Sequence, residues 1–171
     1  MDIIKLILLF IIFVTSSSIG YIISNQYKNR VNELKELKNT LNIMETKMKY
    51  TYETIPEIFE DIVKNCEENI SNIYKYTLIN INERNLSLGK SWKESINNSK
   101  TNLTNEDKQI LISLEKLLGK TDLDGQVGEI ELVSNFLNGQ IEKAEKEKAK
   151  NEKLYRTLGN VIGLTIVVLL A

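Results

Sequence analysis

The sequence predicts an all-α protein, an antiparallel multi-helix bundle of about six helices whose first and last long helices continue into terminal transmembrane spans. Three observations lead to this prediction. The 171 residues include one proline and eight glycines, so little interrupts a helical pattern. Long apolar runs stand at both ends of the chain. Between them, apolar residues recur at spacings of three and four, and no stretch sustains the alternation of a strand.

The first apolar run, residues 3–23, is long enough to cross a bilayer. At about 1.5 Å of rise per residue it spans roughly 31 Å, close to one hydrocarbon core. Its only charge is Lys5, which lies near enough to the end to reach the headgroups. The alternative is a cleaved signal peptide with Ser16 and Ser18 at the cleavage site. Because the apolar run resumes at Ile19, the sequence favours a retained anchor.

The second apolar run, residues 157–171, is shorter and spans roughly 22 Å. With Leu154 and Tyr155 included, and Arg156 extended towards the headgroups, it can cross a locally thinned bilayer. The alternative is a short buried core helix. No other apolar stripe is long enough to cover this run on all sides, so the sequence favours a second span.

Basic residues beside the two runs predict the orientation. Ten of them lie on the central side, against Lys5 and the terminal amine on the other. The positive-inside rule therefore predicts a transmembrane helix at 1–24, a cytoplasmic bundle at 25–153 and a transmembrane helix at 154–171. The single cysteine, Cys66, fits a reducing cytoplasm. The ten basic residues are Lys28, Arg30, Lys35, Lys38, Lys143, Lys146, Lys148, Lys150, Lys153 and Arg156.

Two long helices frame the predicted bundle. Their apolar residues follow a heptad-like spacing, and the first leaves the membrane where the last returns, so the two should be antiparallel. The stripe of the first consists of Val31, Leu34, Leu37, Leu41, Met44 and Met48, and that of the last consists of Ile130, Val133, Leu137, Ile141, Ala144 and Lys148.

Four shorter helices fill the interval. Pro56 suits the first turn of one helix, and an apolar stripe over residues 70–81 marks the next. The third carries Trp92, which we interpret as a core anchor rather than a binding-site stack. Thr104 opens the fourth, with Asp107 three residues later in the arrangement of a capping box.

The composition excludes most catalytic classes. The chain has no histidine, which removes His general bases, Ser–His and Cys–His nucleophiles, and His-based metal sites. Lys and Arg number 22 against 23 Asp and Glu, so nothing suggests nucleic acid binding. No glycine-rich phosphate loop is present. We therefore expect no enzyme activity, no catalytic residues, no cofactor and no metal.

Residues 120–131 partly resemble a calcium-binding loop. The pattern places Asp122, Asp124 and Glu131 at positions three, five and twelve. However, Lys120 stands at position one, where the ion needs an anionic oxygen, and no second loop accompanies it. We interpret the segment as a polar interhelical turn with aspartate caps.

Small residues occur at matching spacings in the two apolar runs. Gly159 and Gly163 form a GxxxG pattern, and Ser16 and Gly20 have the same spacing. Such positions allow close helix–helix approach, although the pattern is also common by chance. They are candidate packing residues, either between the two spans or across a homo-oligomer.

Three stretches of the chain carry motifs of a known family. They are Met44–Tyr50 with Glu53–Phe59, Ser91–Ile96 with Leu117–Asp122, and Ala149–Lys153 with Leu158-Gly159 and Gly163-Leu164. On these stretches the sequence resembles, end to end, the stage III sporulation protein AB family of endospore-forming Firmicutes. It departs at Lys47, where the family has Glu, and at Glu53-Thr54, where the family has Thr-Pro.

The resemblance implies a membrane component of the channel apparatus between mother cell and forespore, in the mother-cell membrane that surrounds the forespore. It also implies a relation to the platform protein of type II secretion. The expected partners are then the other stage III channel proteins, including a secretion-type ATPase encoded beside this chain. A passive coiled-coil tether or scaffold without an ATPase is the alternative.

Two charged regions are candidates for partner contact. The run Glu142–Lys153 also supports its own helix through pairs three and four residues apart, so a solvated face is the alternative interpretation. The candidate contact residues are Glu45, Lys47, Asn151, Glu152 and Lys153.

Overall fold

The structure is a computed structural model, and it describes residues 3–51, 53–116, 118 and 122–170. This part of the chain is almost entirely helical and contains no strand, which confirms the all-α prediction. In chain order the elements are α1 (Ile3–Tyr50), α2 (Ile55–Asn65), α3 (Glu68–Arg84), α4 (Leu88–Asn98), α5 (Asn105–Ile112), a 3-10 turn (Ser113–Lys116) and α6 (Leu123–Leu170).

The chain divides into two compact units, Met1–Val31 with Lys143–Ala171, and Asn32–Glu142. Helices α1 and α6 each contribute to both, whereas α2 to α5 lie in the second unit. The predicted stripe of α1 is buried along its whole length, as are four of the six predicted positions of α6. The fully buried large side chains of the second unit are Leu34, Leu37, Leu41, Met44, Ile58, Phe59, Ile62, Ile70, Ile73, Tyr74, Trp92 and Ile96.

An aromatic cluster forms the centre of this core. The ring centroids of Phe59 and Tyr74 lie 4.9 Å apart with their planes at 80°, and Trp92 lies 5.4 Å from Tyr74. The indole Nε1 of Trp92 donates a 2.8 Å hydrogen bond to the carbonyl oxygen of Leu111. The hydroxyl groups of Tyr74 and Thr40 lie 2.5 Å apart, so these two buried hydroxyls are partners of each other. The interpretation of Trp92 as a core anchor is confirmed.

Helix ends follow the chemistry expected from the sequence. The amide of Thr104 donates to the Asp107 carboxylate at 2.8 Å, and the Asp107 amide donates to the Thr104 hydroxyl at 3.2 Å. The predicted capping box is therefore present. Gly89 lets α4 approach the 3-10 turn, because a Cβ at Gly89 would clash with the carbonyl oxygen of Glu115.

The start of α6 differs from the prediction of a turn over residues 120–131. The helix begins at Leu123, so the segment from there to Glu131 is helical. Asp122 explains the difference, since its Oδ1 accepts a 3.0 Å hydrogen bond from the amide of Gly125 and satisfies one of the unpaired amides of the first turn. Residues 119–121, which include Lys120, lie outside the described residues.

Candidate functional site

Two helices, α1 and α6, are long and apolar enough to cross a membrane. In each helix, only 11% of the most apolar 18-residue stretch is buried. In α6 the side chains of Val161, Ile162, Leu164, Val168 and Leu169 are all exposed, which is the opposite of a buried core helix. Contiguous apolar surface of this extent is typical of a face that meets lipid.

The four predicted packing residues come together within the first unit. A Cβ built on Gly20 would lie 2.7 Å from the carbonyl oxygen of Tyr155 and 2.8 Å from the Cα of Gly159. The Ser16 hydroxyl donates a 2.8 Å hydrogen bond to the Gly159 carbonyl oxygen. A Cβ on Gly163 would lie 3.2 Å from the Cβ of Ser16. The helices therefore approach so closely that Gly20 and Gly159 have no room for a side chain.

Aromatic and cationic side chains gather beside this contact. The rings of Tyr27 and Tyr155 are stacked with centroids 5.8 Å apart. The guanidinium carbon of Arg156 lies 5.8 Å from the centroid of the Tyr21 ring, within the range of a cation–π interaction. Amphipathic rings and Arg are the residue types that accumulate at a membrane–water interface. The sequence predicted that Arg156 would extend towards the headgroups, but it did not predict its aromatic partner.

One ion pair of this unit was missed by the sequence analysis. The Arg30 guanidinium, which is nearly buried, lies 2.5 Å from a carboxylate oxygen of Glu147 on α6. The spacing of charges in the sequence predicted only pairs of Glu147 along its own helix, and the pair Lys148–Glu152 at 4.0 Å is of that kind. Local spacing identifies pairs within one helix only, so a partner 117 residues away left no pattern in the sequence.

The candidate contact residues of the second unit already have partners in the chain. The Lys47 ammonium contacts the Glu53 carboxylate at 2.7 Å and the Asp61 carboxylate at 2.5 Å. The Glu45 carboxylate accepts a 2.6 Å hydrogen bond from Lys49. Lys47 therefore links α1 to α2 and the segment before it.

The candidate contact residues of α6 are more open. Lys153 is exposed, whereas Asn151 and Glu152 are partly exposed. Together with Glu145, Lys148 and Arg156, the side chains of Glu152 and Lys153 line a shallow groove of about 460 Å³. Of the five candidates, those on α6 are the better placed for a partner.

Comparison with known proteins identifies the family. The sequence profile of the stage III sporulation protein AB family matches residues 5–171. The chain belongs to the stage III sporulation protein AB family. This confirms the resemblance inferred from the sequence motifs, and it assigns the chain to a sporulation family.

A curated relative and a solved structure agree with this assignment. Stage III sporulation protein AB of Bacillus subtilis (strain 168) is 23% identical over 161 residues, which are 93% of this chain and 94% of the relative. A solved structure of a stage III sporulation protein AB is similar with a TM-score of 0.66 and 18% identity, over 71% of this chain and 98% of that chain. At this identity the structural match establishes the fold.

Two acidic residues of α1, Glu33 and Glu36, bind polar groups elsewhere in the second unit. The Glu33 carboxylate accepts hydrogen bonds from the amide of Asn102 at 2.7 Å and from its Nδ2 at 2.8 Å. Burial raises the pKa of Glu33. A Glu36 oxygen accepts a 2.6 Å hydrogen bond from the amide of Glu67. Both acids tie α1 to polar backbone elsewhere in the bundle, and nothing in the sequence spacing identified them.

Side chains that could bind a metal ion or act as a nucleophile are few in the described part of the chain. No group of three Cys, Asp or Glu residues there could hold a metal ion. Cys66 is half-buried, and burial together with the nearby Glu36 carboxylate raises the pKa of its thiol. A thiol of raised pKa carries little thiolate at neutral pH and reacts slowly.

Proposed function

We propose that the chain is a non-enzymatic membrane platform component of the channel complex between mother cell and forespore, and that it docks a secretion-type ATPase. The observation that carries this proposal is the family match over residues 5–171, because this stretch includes nearly all of both exposed apolar helices. A sporulation protein anchored at both ends suits a role within a membrane assembly.

The proposed location is the mother-cell membrane around the forespore, with the segment between the spans in the cytoplasm. The support is the ten basic residues on the central side of the apolar runs. An ATPase needs cytoplasmic ATP, so docking requires this orientation.

The proposed mechanism uses the two long helices as levers. Neither α1 nor α6 is broken between its apolar end and its polar end. The Gly20–Gly159 contact joins the apolar ends, so a force on the polar end of either helix would reach both spans. The open groove around Glu152 and Lys153 is the proposed docking surface.

The test is recovery of the adjacent-encoded ATPase with the full-length tagged chain from sporulating cells. Reversing two charges, Glu152→Lys with Lys153→Glu, should reduce both ATPase recovery and the number of heat-resistant spores. The matched control reverses Glu83 to Lys on α3, where the side chain is also exposed. Recovery that is absent, or equal in all three proteins, would contradict docking at this groove.

The alternative function is a passive coiled-coil tether or scaffold, which the unbroken length of α1 and α6 also suits. A tether needs the spans and the long helices but no ATPase. It predicts that the ATPase is not recovered with the full-length chain, and that the charge reversal leaves spore formation normal.

A further inference from the structure

A groove of about 420 Å³ lies between the apolar ends of α1 and α6, within the first unit. Its walls are side chains of α1 between Phe13 and Ile22 and the side chains of Arg156 and Asn160 on α6. We call it the membrane groove. Its volume falls among those of small-molecule sites, which are about 300–1,000 Å³. A transmembrane helix, about 10–12 Å across with its side chains, is too wide to enter it.

The lining of the membrane groove changes in three levels along the helices. The first level holds Arg156 and Tyr21, whose ring centroid lies 5.8 Å from the guanidinium carbon. The second level holds Asn160 and Ser18, one helical turn further from the central segment, which is about 6 Å for four residues. The third level, another turn along α1, is apolar and holds Phe13. The groove therefore passes from a cation through small polar groups to hydrocarbon.

The polar groups of the second level lack partners inside the chain. Elsewhere in the apolar ends, the hydroxyls of Thr15, Ser16 and Thr165 each donate to a backbone carbonyl oxygen. Ser17 Oγ, in the wall of the groove, is covered and has no hydrogen-bond partner among the described residues. The exposed Asn160 amide likewise bonds to no described residue. In lipid such groups are costly to leave unpaired, which favours a ligand that brings hydrogen-bonding atoms to this depth.

The order of the three levels is the order of groups in a phospholipid. A phospholipid has a phosphate in the headgroup layer, ester groups directly below it and acyl chains below the esters. The headgroup layer on each side of a bilayer is about 5–8 Å thick, close to the separation of the first two levels. A phosphate beside Arg156 would place the ester carbonyls near the Ser18 hydroxyl and the Asn160 amide, and an acyl chain along Phe13.

The charge at the first level favours an anionic phospholipid. Lys153 lies three residues before Arg156 on the same side of α6, and both side chains are exposed. The Glu152 carboxylate is paired with Lys148, and no described carboxylate is paired with Lys153 or Arg156. Cations beside a pocket between spans attract an anionic headgroup. A zwitterionic lipid carries its own cation, which would oppose them.

We propose that one anionic phospholipid binds in the membrane groove, with its phosphate at Arg156 and Lys153, its ester groups at Ser18 and Asn160, and an acyl chain along Phe13. The inference rests on the membrane anchoring of the proposed function, but not on ATPase docking.

The test measures the lipid retained by the full-length chain in a neutral detergent, by native mass spectrometry. The lipids added, at equal concentration, are phosphatidylglycerol and phosphatidylcholine. One phosphatidylglycerol per chain should be retained, at least about tenfold more than phosphatidylcholine, because only the anionic headgroup leaves the cations of the groove unopposed. Inorganic phosphate, which lacks an acyl chain, should not displace it.

Matched variants locate the site. Arg156→Gln should lower the retention of phosphatidylglycerol by about tenfold or more, since a charge-assisted hydrogen bond is lost. Lys150→Gln removes the same charge from an exposed position of α6 outside the groove and should change it little. Asn160→Leu should also lower the retention, whereas Thr165→Leu, an exposed position outside the groove, should not. Because all four positions are exposed, the helical circular dichroism should stay the same.

Four results would overturn the inference. Equal retention of the two lipids would mean that only bulk membrane lipid is bound. Displacement by inorganic phosphate would assign the cations to a free anion, and equal effects of Arg156→Gln and Lys150→Gln would exclude the groove. Loss of spore formation by Asn160→Leu with unchanged lipid retention would assign the groove to a transmembrane helix of another protein.

Flotation of native membranes tests the anchoring separately. A chain that floats but retains both lipids equally contradicts this inference alone. A chain that does not float contradicts the proposed anchoring.

Discussion

Gly20 and Gly159 meet backbone to backbone in the contact between α1 and α6. A Cβ on either one would lie 2.8 Å from the Cα of the other, closer than real Cβ contacts allow. The Ser16 hydroxyl adds a 2.8 Å hydrogen bond to the Gly159 carbonyl oxygen. Lipid supplies little hydrophobic drive for helix association, so close backbone packing of this kind holds spans together.

Replacing Gly20 with alanine should separate the two helices. The new Cβ would meet backbone atoms of Tyr155 and Gly159, which cannot rotate away, and overpacking of this kind costs about 1–3 kcal/mol. The thermal unfolding midpoint of the full-length chain in dilute micelles should therefore fall. The matched control is Gly128→Ala, whose Cβ would have no neighbour within 4 Å, and which should raise the midpoint slightly. Equal behaviour of the two alanine variants would refute the close contact.

Replacing Trp92 with phenylalanine should destabilise the bundle beyond the loss of ring volume. The Leu111 carbonyl oxygen would lose its 2.8 Å hydrogen bond from Nε1, and the loss of one intramolecular hydrogen bond typically costs about 0.5–1.5 kcal/mol. Guanidinium unfolding followed by circular dichroism should show the loss. Tyr76→Phe, on an exposed ring, should change stability by less than about 0.5 kcal/mol. An unchanged unfolding midpoint for Trp92→Phe would be inconsistent with this core.

The ion pairs of Lys47 with Glu53 and Asp61 should stabilise the bundle only within a pH window. Hydrogen bonding to Lys47 lowers the pKa of Asp61, and hydrogen bonding to Asp61 and Glu53 raises the pKa of Lys47. The Asp61 contribution is complete above the unfolded value of about 3.9 and is lost as the pH falls through the lowered folded pKa. The Lys47 contribution is complete below about 10.4 and is lost as the pH rises through the raised folded pKa.

Lys47→Met should therefore lower the unfolding temperature at pH 7, but much less at pH 2.5. The difference at pH 7 should shrink in high salt, because these groups are near the surface and their attraction is screened. Lys75→Met, an exposed lysine on α3, serves as the control and should have little effect at either pH. A loss of the same size at both pH values for Lys47→Met would contradict a contribution from the charge of Lys47.

A proline at Asn25 should abolish spore formation if α1 acts as a lever. Asn25 lies inside the unbroken helix, where proline removes a backbone hydrogen bond and clashes with the preceding turn, at a cost of about 3 kcal/mol or more. Asn25→Ala keeps the helix and should leave the number of heat-resistant spores unchanged. Membrane flotation of both variants verifies that each is still inserted. Normal sporulation with inserted Asn25→Pro would eliminate the lever mechanism.

The sequence was informative wherever a feature depends on local spacing. The heptad stripe of α1, the core position of Trp92 and the Thr104–Asp107 capping box all follow from residues a few positions apart. The small residues of the two apolar helix ends were found in the same way. The close contact between Gly20 and Gly159, which are 139 residues apart, could only be suggested. A GxxxG pattern indicates a helix surface suited to close packing, but it does not identify the helix that packs there.

Contacts between distant segments were not predictable. In the sequence, Glu33 and Arg30 resemble ordinary surface charges. In the structure, Glu33 bonds to Asn102 and Arg30 pairs with Glu147, and both partners are distant along the chain. The start of α6 was predicted too late: residues 120–131 were interpreted as a turn with aspartate caps, and the Asp122 carboxylate is such a cap, but the helix begins at the next residue.

The most direct test of the account is the membrane orientation of the full-length chain in intact cells. The measurement is labelling by a membrane-impermeant maleimide of Tyr76→Cys in a Cys66→Ser background, and of a cysteine added after Ala171 in the same background. Tyr76 is preferred to native Cys66, whose half-buried thiol of raised pKa reacts slowly. A cytoplasmic bundle between two spans predicts that the added terminal cysteine is labelled in intact cells, whereas Tyr76→Cys is labelled only after lysis. Labelling of Tyr76→Cys in intact cells would place the bundle outside the cytoplasm and contradict docking to an ATPase.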